Sequence, residues 1–189
     1  MSADAKTAAR KAAFARRKAA FGTGLDPAAQ AHLRAALRGH EARPLAGYMP
    51  IRTEVDALPV MSDWTAPVGV PVIRGMGQPL DFHLWTAEAV MVDGPFGAAL
   101  PESAVPMVPE VVIVPLVAFD GDGYRLGYGG GFYDRSLEIL RAAGPTLAVG
   151  YAFAAQEAEA LPREPARSQA SDHKRRRHSP TDSRRRRRP

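Results

Sequence analysis

Apolar and basic positions alternate through the first twenty-one residues. Alanines interleave with Lys6, Arg10, Lys11, Arg16, Arg17 and Lys18, and Phe14 and Phe21 supply apolar anchors. High helix propensity with few breakers predicts a helix over residues 3–20. Lys6 and Arg10 lie four apart and share one face. That face has three readings: a solvated basic surface, which charge pattern alone favours, an organellar presequence, or a ligand-contacting helix. A second helix over residues 28–38 has clear punctuation. Asp26 can cap it, Pro27 fits its first position, and Gly39 stops it.

Beyond residue 44 the period shortens. Residues 45–49 read as a short strand, 54–63 as a polar helical segment, and 68–73 and 80–85 as strands. The apolar run 111–119 is the strongest strand signal, interrupted at Pro115. Residues 136–143 carry a helical pattern and 146–153 a second buried-strand pattern. Strands alternating with helices predict an α/β fold with a largely parallel sheet. In such sheets ligands collect at the carboxyl ends of the strands.

Between the apolar run and the following helix lies Arg125-Leu126-Gly127-Tyr128-Gly129-Gly130-Gly131-Phe132-Tyr133-Asp134-Arg135. Four glycines leave bare backbone whose N–H groups can face phosphate oxygens. A helix opening beneath them adds the positive end of its dipole. The spacing matches neither the dinucleotide fingerprint nor the Walker A loop, so glycine content alone is a weak signal. The flanking arginines and Asp134 suit phosphate with a bound divalent ion. Asp120-Gly121-Asp122-Gly123 lacks a downstream Glu at calcium-loop spacing and reads as a plain turn.

Composition alters this picture in two ways. The absence of cysteine excludes disulfides, thiolate metal sites and a cysteine nucleophile, and is compatible with the cytoplasm. No apolar run reaches the length of a membrane helix, and no signal peptide is visible. The net charge of +5 comes from the end of the chain, because residues 163–189 carry 11 Lys/Arg against 3 Asp/Glu. The preceding residues are net acidic. The Arg-rich tail predicts disorder and nonspecific polyanion binding, and gives no specific nucleic-acid partner to the body.

The segment Pro115-Leu116-Val117-Ala118-Phe119-Asp120, followed by Gly123 and Arg125 through Arg135, closely resembles the signature of the 5-formyltetrahydrofolate cyclo-ligase family (methenyltetrahydrofolate synthetase). Further stretches fall in family order: Lys6 and Arg10, Tyr48-Met49, Glu54-Val55-Asp56, Leu80-x-Phe82-x-x-Trp85, Phe96-Gly97 and Leu161-Pro162-Arg163-Glu164. Ordered multiple matches are far more specific than one glycine loop. The resemblance implies a single three-layer α/β/α domain over residues 1–164, with residues 165–189 as an appended tail. It implies ATP- and Mg²⁺-dependent conversion of 5-formyltetrahydrofolate to 5,10-methenyltetrahydrofolate; the sequence leaves the oligomeric state open, with a monomer favoured.

It also implies roles. Gly127, Gly129, Gly130 and Gly131 would offer donors to the triphosphate, with Leu126, Tyr128, Phe132 and Tyr133 in the same loop and Arg125 beside it. Lys6 and Arg10 would reach the phosphates from the first helix, and Asp134 would bind Mg²⁺. Met49 and Glu54 would hold the folate, with Phe96 as an aromatic wall and Tyr128 lining the cleft. Phe82 and Trp85 read as core, and His83 on the opposite strand face as exposed.

Two departures from the family stand out. Its loop lysine is Gly130 here, and Arg125, Arg10 or Lys6 is expected to compensate. Its His-Asp pair after residue 164, whose Asp joins the metal site, is replaced by the Arg-rich tail, where Asp172 is the nearest acid. Residues 166–171 read one nucleotide later can encode the family's continuation, so the tail reads as a frameshift product. Two rival functions are a nucleic-acid binder acting through the tail and a phosphometabolite-binding α/β protein without this chemistry.

Overall fold

The computed structural model describes residues 3–24 and 26–162. The expected tail at 165–189, with Asp172 in it, lies outside the described residues, as does the side chain of Phe96. Four α-helices and ten strands follow in the order α1 (Ala3–Ala20), α2 (Asp26–Leu37), β1 (Leu45–Ala46), α3 (Leu58–Ser62), β2 (Val68–Ile73), β3 (Leu80–Leu84), β4 (Met91–Asp93), β5 (Ala99–Pro101), β6 (Val111–Pro115), β7 (Ala118–Asp120), β8 (Arg125–Leu126), α4 (Phe132–Ala143), β9 (Leu147–Tyr151) and β10 (Glu157–Ala158).

The main sheet has the order β3-β2-β1-β6-β9. β1 pairs in parallel with β2 and β6, and β6 in parallel with β9; only the β2–β3 pair is antiparallel. The run in β6 explains its central place. Val111 and Ile113 enter the cluster containing Leu33 and Leu37 of α2 and Val60 and Met61 of α3. Val112 and Val114 enter the opposite cluster, with Leu137 of α4 and Phe82 of β3. A strand apolar at every position is thus covered by helices on both faces, which gives three layers.

The expected strand over 111–119 is two strands in two sheets. After Pro115 the chain leaves the main sheet, and β7 pairs with β8 and β10 in a small three-stranded sheet. Proline has no N–H to continue a ladder. Gln156 Nε2 bridges the break by donating to the carbonyls of Leu116 (2.7 Å) and Val117 (3.0 Å). Helix α1 packs on this small sheet through Ala13, Ala9 and Phe14, against Val117, Ala118 and Leu126.

Several expected boundaries also move. The strand at 45–49 is confined to β1, although Gly47 N–H still donates to Gly69 O at 3.0 Å. The helical segment at 54–63 shrinks to α3, because the Asp56 side chain caps Leu58 N–H and leaves Glu54 in the preceding turn. Helix α4 starts four residues early, so Phe132, Tyr133 and Asp134 belong to its first turn. The β4–β5 hairpin and the two-residue strands β8 and β10 were not foreseen. Phe21 is no anchor: it is 47% exposed, while Ala13 and Ala20 are buried.

Phe82 and Trp85 are core residues, as expected. His83 departs from its expected exposure. It is half-buried, and its Nδ1 is enclosed without a hydrogen-bond partner.

Candidate functional site

Strand β1 lies between β2 on one side and β6 on the other. The connection after β1 leaves toward α3 on one face, and the connection after β6 returns through α4 on the other. Such a reversal opens a crevice at the carboxyl ends of the strands. Two segments fill this edge: the turn 48–54 and the glycine loop 127–131.

The turn is held from several directions. Tyr48 O–H donates to Val55 O at 2.6 Å, and the buried Glu54 accepts from Ile51 N–H through Oε2 at 2.9 Å. Arg52 has φ 57°, the only positive value for a non-glycine among the described residues. Backbone strain of this kind persists only where surrounding contacts fix it. Met49 is half-buried against the core cluster beside α2 and α3.

The glycine loop runs from β8 into α4. Leu126 is buried in the cluster beneath α1, and its carbonyl accepts from Val117 N–H at 2.8 Å, so it anchors the loop rather than lining it. Gly131 is the N-terminal cap of α4 at φ 64°, a conformation that favours glycine. The first turn of this twelve-residue helix therefore sits directly under the loop. Phe132 and Tyr133 are half-buried against the cluster around Leu137.

Loop and turn meet at Tyr128. Its hydroxyl donates to Glu54 Oε1 at 2.9 Å, and its ring is tilted against Phe14 of α1 at a 5.5 Å centroid distance. Burial pushes the Glu54 carboxyl above its usual range, while Ile51 N–H, the Tyr128 hydroxyl and Arg17 pull it back. Burial, with the Glu54 charge beside it, pushes the Tyr128 phenol up to about 12. The Tyr133 hydroxyl moves in the same direction from the same causes. Neither phenol ionises near neutrality, and Tyr128 keeps the proton it donates to Glu54.

The basic face of α1 is docked rather than solvated. Arg10 Nε donates to Gly127 O at 2.9 Å and Arg16 Nε to Ala155 O at 2.9 Å. Arg17 is buried; its Nε donates to Thr53 Oγ1 at 3.0 Å, and its Nη1 lies 3.7 Å from Glu54 Oε1. Lys6, one turn before Arg10, is half-buried. Sequence reasoning singled out Lys6 and Arg10 but missed Arg17. The signal was present: Lys6, Arg10, Ala13, Phe14 and Arg17 follow the spacing of one helical face.

Two expected cations are already engaged. Arg125 Nη2 pairs with Asp134 Oδ1 at 2.5 Å across an exposed surface, and Arg10 holds the loop carbonyl. The cation that meets Gly130 is Arg135, which donates to Gly130 O and lies 5.7 Å above the Phe132 ring. A Cβ at Gly130 would meet that ring at 2.5 Å, so the loop packs an aromatic where a side chain would leave.

Asp134 has an exposed carboxylate, and no group of three or more His, Cys, Asp or Glu among the described residues could hold a metal ion. A single carboxylate suits Mg²⁺ only when phosphate oxygens complete the shell. Phe96 lies in a short 3-10 turn, Pro95–Gly97, and its side chain lies outside the described residues. Asp120 ends β7 and fastens the turn that follows: its carboxylate accepts from the N–H groups of Asp122, Tyr124 and Leu161. A shallow depression lined by Arg43, Arg141 and Leu147 lies at the opposite, amino end of the strands.

This arrangement has close parallels. The chain is 55% identical over 53 residues to the 5-formyltetrahydrofolate cyclo-ligase of Escherichia coli, covering 28% of this chain and 29% of that protein. It is 32% identical over 121 residues to that of Mycolicibacterium smegmatis, covering 57% of this chain and 61% of the relative. These matches thus span less than two thirds of the relatives' own length. The solved 5,10-methenyltetrahydrofolate synthetase of Aquifex aeolicus matches with a TM-score of 0.66 and 27% identity, covering 85% of this chain and 84% of that one. The synthetase of Mycoplasma pneumoniae shares the fold, with a TM-score of 0.62 at 24% identity over 84% and 91% of the two chains. A model of the 5-formyltetrahydrofolate cyclo-ligase family matches residues 5–172, which takes in helix α1, the Glu54 turn and the glycine loop together. With fold and sequence in agreement over most of its length, the chain belongs to the 5-formyltetrahydrofolate cyclo-ligase family.

Proposed function

We propose that this protein converts 5-formyltetrahydrofolate and ATP to 5,10-methenyltetrahydrofolate, ADP and phosphate. The observation that carries this reading is the hydrogen bond from Tyr128 to Glu54, which joins a phosphate-cradling loop to a buried carboxylate at one crevice. A formyl amide is a poor electrophile. Its oxygen attacks the γ-phosphorus, the bond to the β-phosphate oxygen breaks, and ADP leaves. The N10 lone pair then attacks the activated carbon, the carbon–oxygen bond breaks, phosphate departs, and the N10 proton passes to solvent. No protein nucleophile is needed, in keeping with a chain that has no cysteine.

Catalysis in this reading is positioning plus charge stabilisation. Backbone N–H groups of residues 127–131 and the α4 N-terminus receive the triphosphate. Lys6 and Arg10 contribute from α1, and Arg135 supplies the positive charge next to Gly130. Asp134, which pairs with Arg125, would hold Mg²⁺ together with nucleotide phosphate oxygens, and the ion would offset charge on the transferring phosphoryl group. Glu54 accepts from pterin N–H groups, with Met49 and Tyr128 beside the ring. The catalytic unit is residues 1–164, and the frame-shifted tail is an appendage. No helix among the described residues is long and apolar enough to cross a membrane, and we assign the protein to the cytoplasm.

The test is the growth of methenyl-folate absorbance from 5-formyltetrahydrofolate with and without ATP. ATP-dependent product supports the reading. Its absence from a chain restored to the alternative frame after residue 165 would reject it. A blank from the tailed chain alone would locate the defect in the C-terminus.

A further inference from the structure

Arg17 is a charged side chain that the proposed chemistry leaves unused, and it is only 1% exposed. Its Nε is spent on Thr53, yet Nη1 is enclosed with no hydrogen-bond partner. Its guanidinium carbon lies 5.2 Å from the centre of the Phe14 ring and 5.5 Å from that of Tyr128. A buried guanidinium with an unmade hydrogen bond is expensive unless something completes it. Glu54 stands beside it with capacity to spare. Tyr128 uses one lone pair on Oε1 and Ile51 one on Oε2, and a carboxylate offers about four such sites.

A donor at Nη1 and an acceptor at Oε1, 3.7 Å apart, present side-by-side hydrogen-bonding atoms of opposite kind. The ligand edge complementary to that pair is a ring N–H next to a ring carbonyl, a cyclic amide. We propose that Arg17 is a specificity residue that donates through Nη1 to the pteridine carbonyl oxygen, while Glu54 accepts from the neighbouring N–H. This rests on the folate reading above. Tyr128 is the movable cover: it is 40% exposed, stands between Gly127 and Gly129, and its hydroxyl occupies the Glu54 oxygen nearest Arg17. The substrate edge takes the place of that hydroxyl.

The test is direct binding to the full-length chain of two reduced folates. One is 5-formyltetrahydrofolate; the other has an amino group in place of the ring carbonyl, which puts a donor where Arg17 needs an acceptor and turns the neighbouring ring N–H into a bare acceptor facing Glu54. Wild type should favour the carbonyl form by at least about 10- to 100-fold, the worth of the Arg17 hydrogen bond, to which loss of the Glu54 one adds. Arg17→Met should lose a similar factor, about 10- to 100-fold, for the carbonyl form and only about threefold or less for the amino form. Binding of a non-hydrolysable ATP analogue should be unchanged.

Arg17→Lys, which keeps a donor, should retain part of the preference, and this ratio decides the matter if the methionine variant does not fold. A purely structural role would weaken both ligands equally and leave the ratio intact. Equal binding of the two ligands by wild type, or an unchanged ratio in the variants, overturns the proposal. Ligand discrimination without turnover would instead sink the enzymatic reading and leave Arg17's role standing.

Discussion

Replacing Arg17 by methionine gives a stability prediction whose size depends on pH. Arg17 and Glu54 have side chains 2% and 4% exposed and approach to 3.7 Å. At that separation and an effective dielectric constant of about 20, their attraction is roughly 4 kcal/mol. Breaking a buried pair by removing one partner costs about 3–5 kcal/mol, because the other charge stays buried and uncompensated. Glu54 has an escape: it can take a proton. Burial already raises its folded pKa, and removing Arg17 raises it further. A carboxyl with a raised folded pKa contributes stability that is fully present below its unfolded value of 4.5 and is lost as pH rises through the folded value. The Arg17→Met deficit should therefore be small near pH 5 and approach about 3–5 kcal/mol by pH 8. The double variant Arg17→Met/Glu54→Leu, with neither charge, should recover most of it. Urea unfolding of the three proteins at both pH values, with matched m-values, measures this. A deficit equal at pH 5 and pH 8, or a double variant as unstable as the single one, would refute the coupling.

Three further outcomes are expected. Leu137→Ala removes a fully buried α4 side chain and should cost about 2–5 kcal/mol in urea unfolding while leaving the KM for both substrates unchanged. Asp120→Ala strips the acceptor from three backbone N–H groups and should cost about 2–4 kcal/mol; a loss below about 0.5 kcal/mol would mean that the turn holds itself. Asp134→Asn changes an exposed carboxylate, so its melting temperature should barely move. The Mg²⁺ concentration for half-maximal rate should rise about tenfold, by analogy with loss of a metal-positioning group, and an unmoved Mg²⁺ curve would remove Asp134 from the ion.

In the proposed reading, Tyr128 covers the folate site. Glu54 and Arg17 are both buried, and the crevice between strand ends is filled by Tyr128 rather than open. The glycines on either side of Tyr128 let that cover move without dismantling α4 or β8. In the proposed reading, nucleotide at this loop and folate at Glu54 would share one moving part.

Much of this protein was legible in its residues. Helical spacing marked α1 and α2, and a strand apolar at every position announced a sheet covered on both faces. The ordered Arg, Gly, aromatic and Asp string, with Lys6, Arg10, Met49 and Glu54, pointed to the site. These features are local, because propensity, periodicity and glycine geometry act over a few residues. What tertiary structure alone decided is which groups spend their charge on one another. Arg125 is paired with Asp134, Arg135 stands at Gly130, and Arg17, which helical spacing places on the Lys6–Arg10 face but assigns no partner, is buried against Glu54. Likewise, Pro115 marked a break in the apolar run, but its removal of β7 to a second sheet appeared only once β8 and β10 were in place. A residue's type fixes the hydrogen bonds it can make; only folding, which joins Arg17 and Glu54 across 36 intervening residues, fixes which ones it does make.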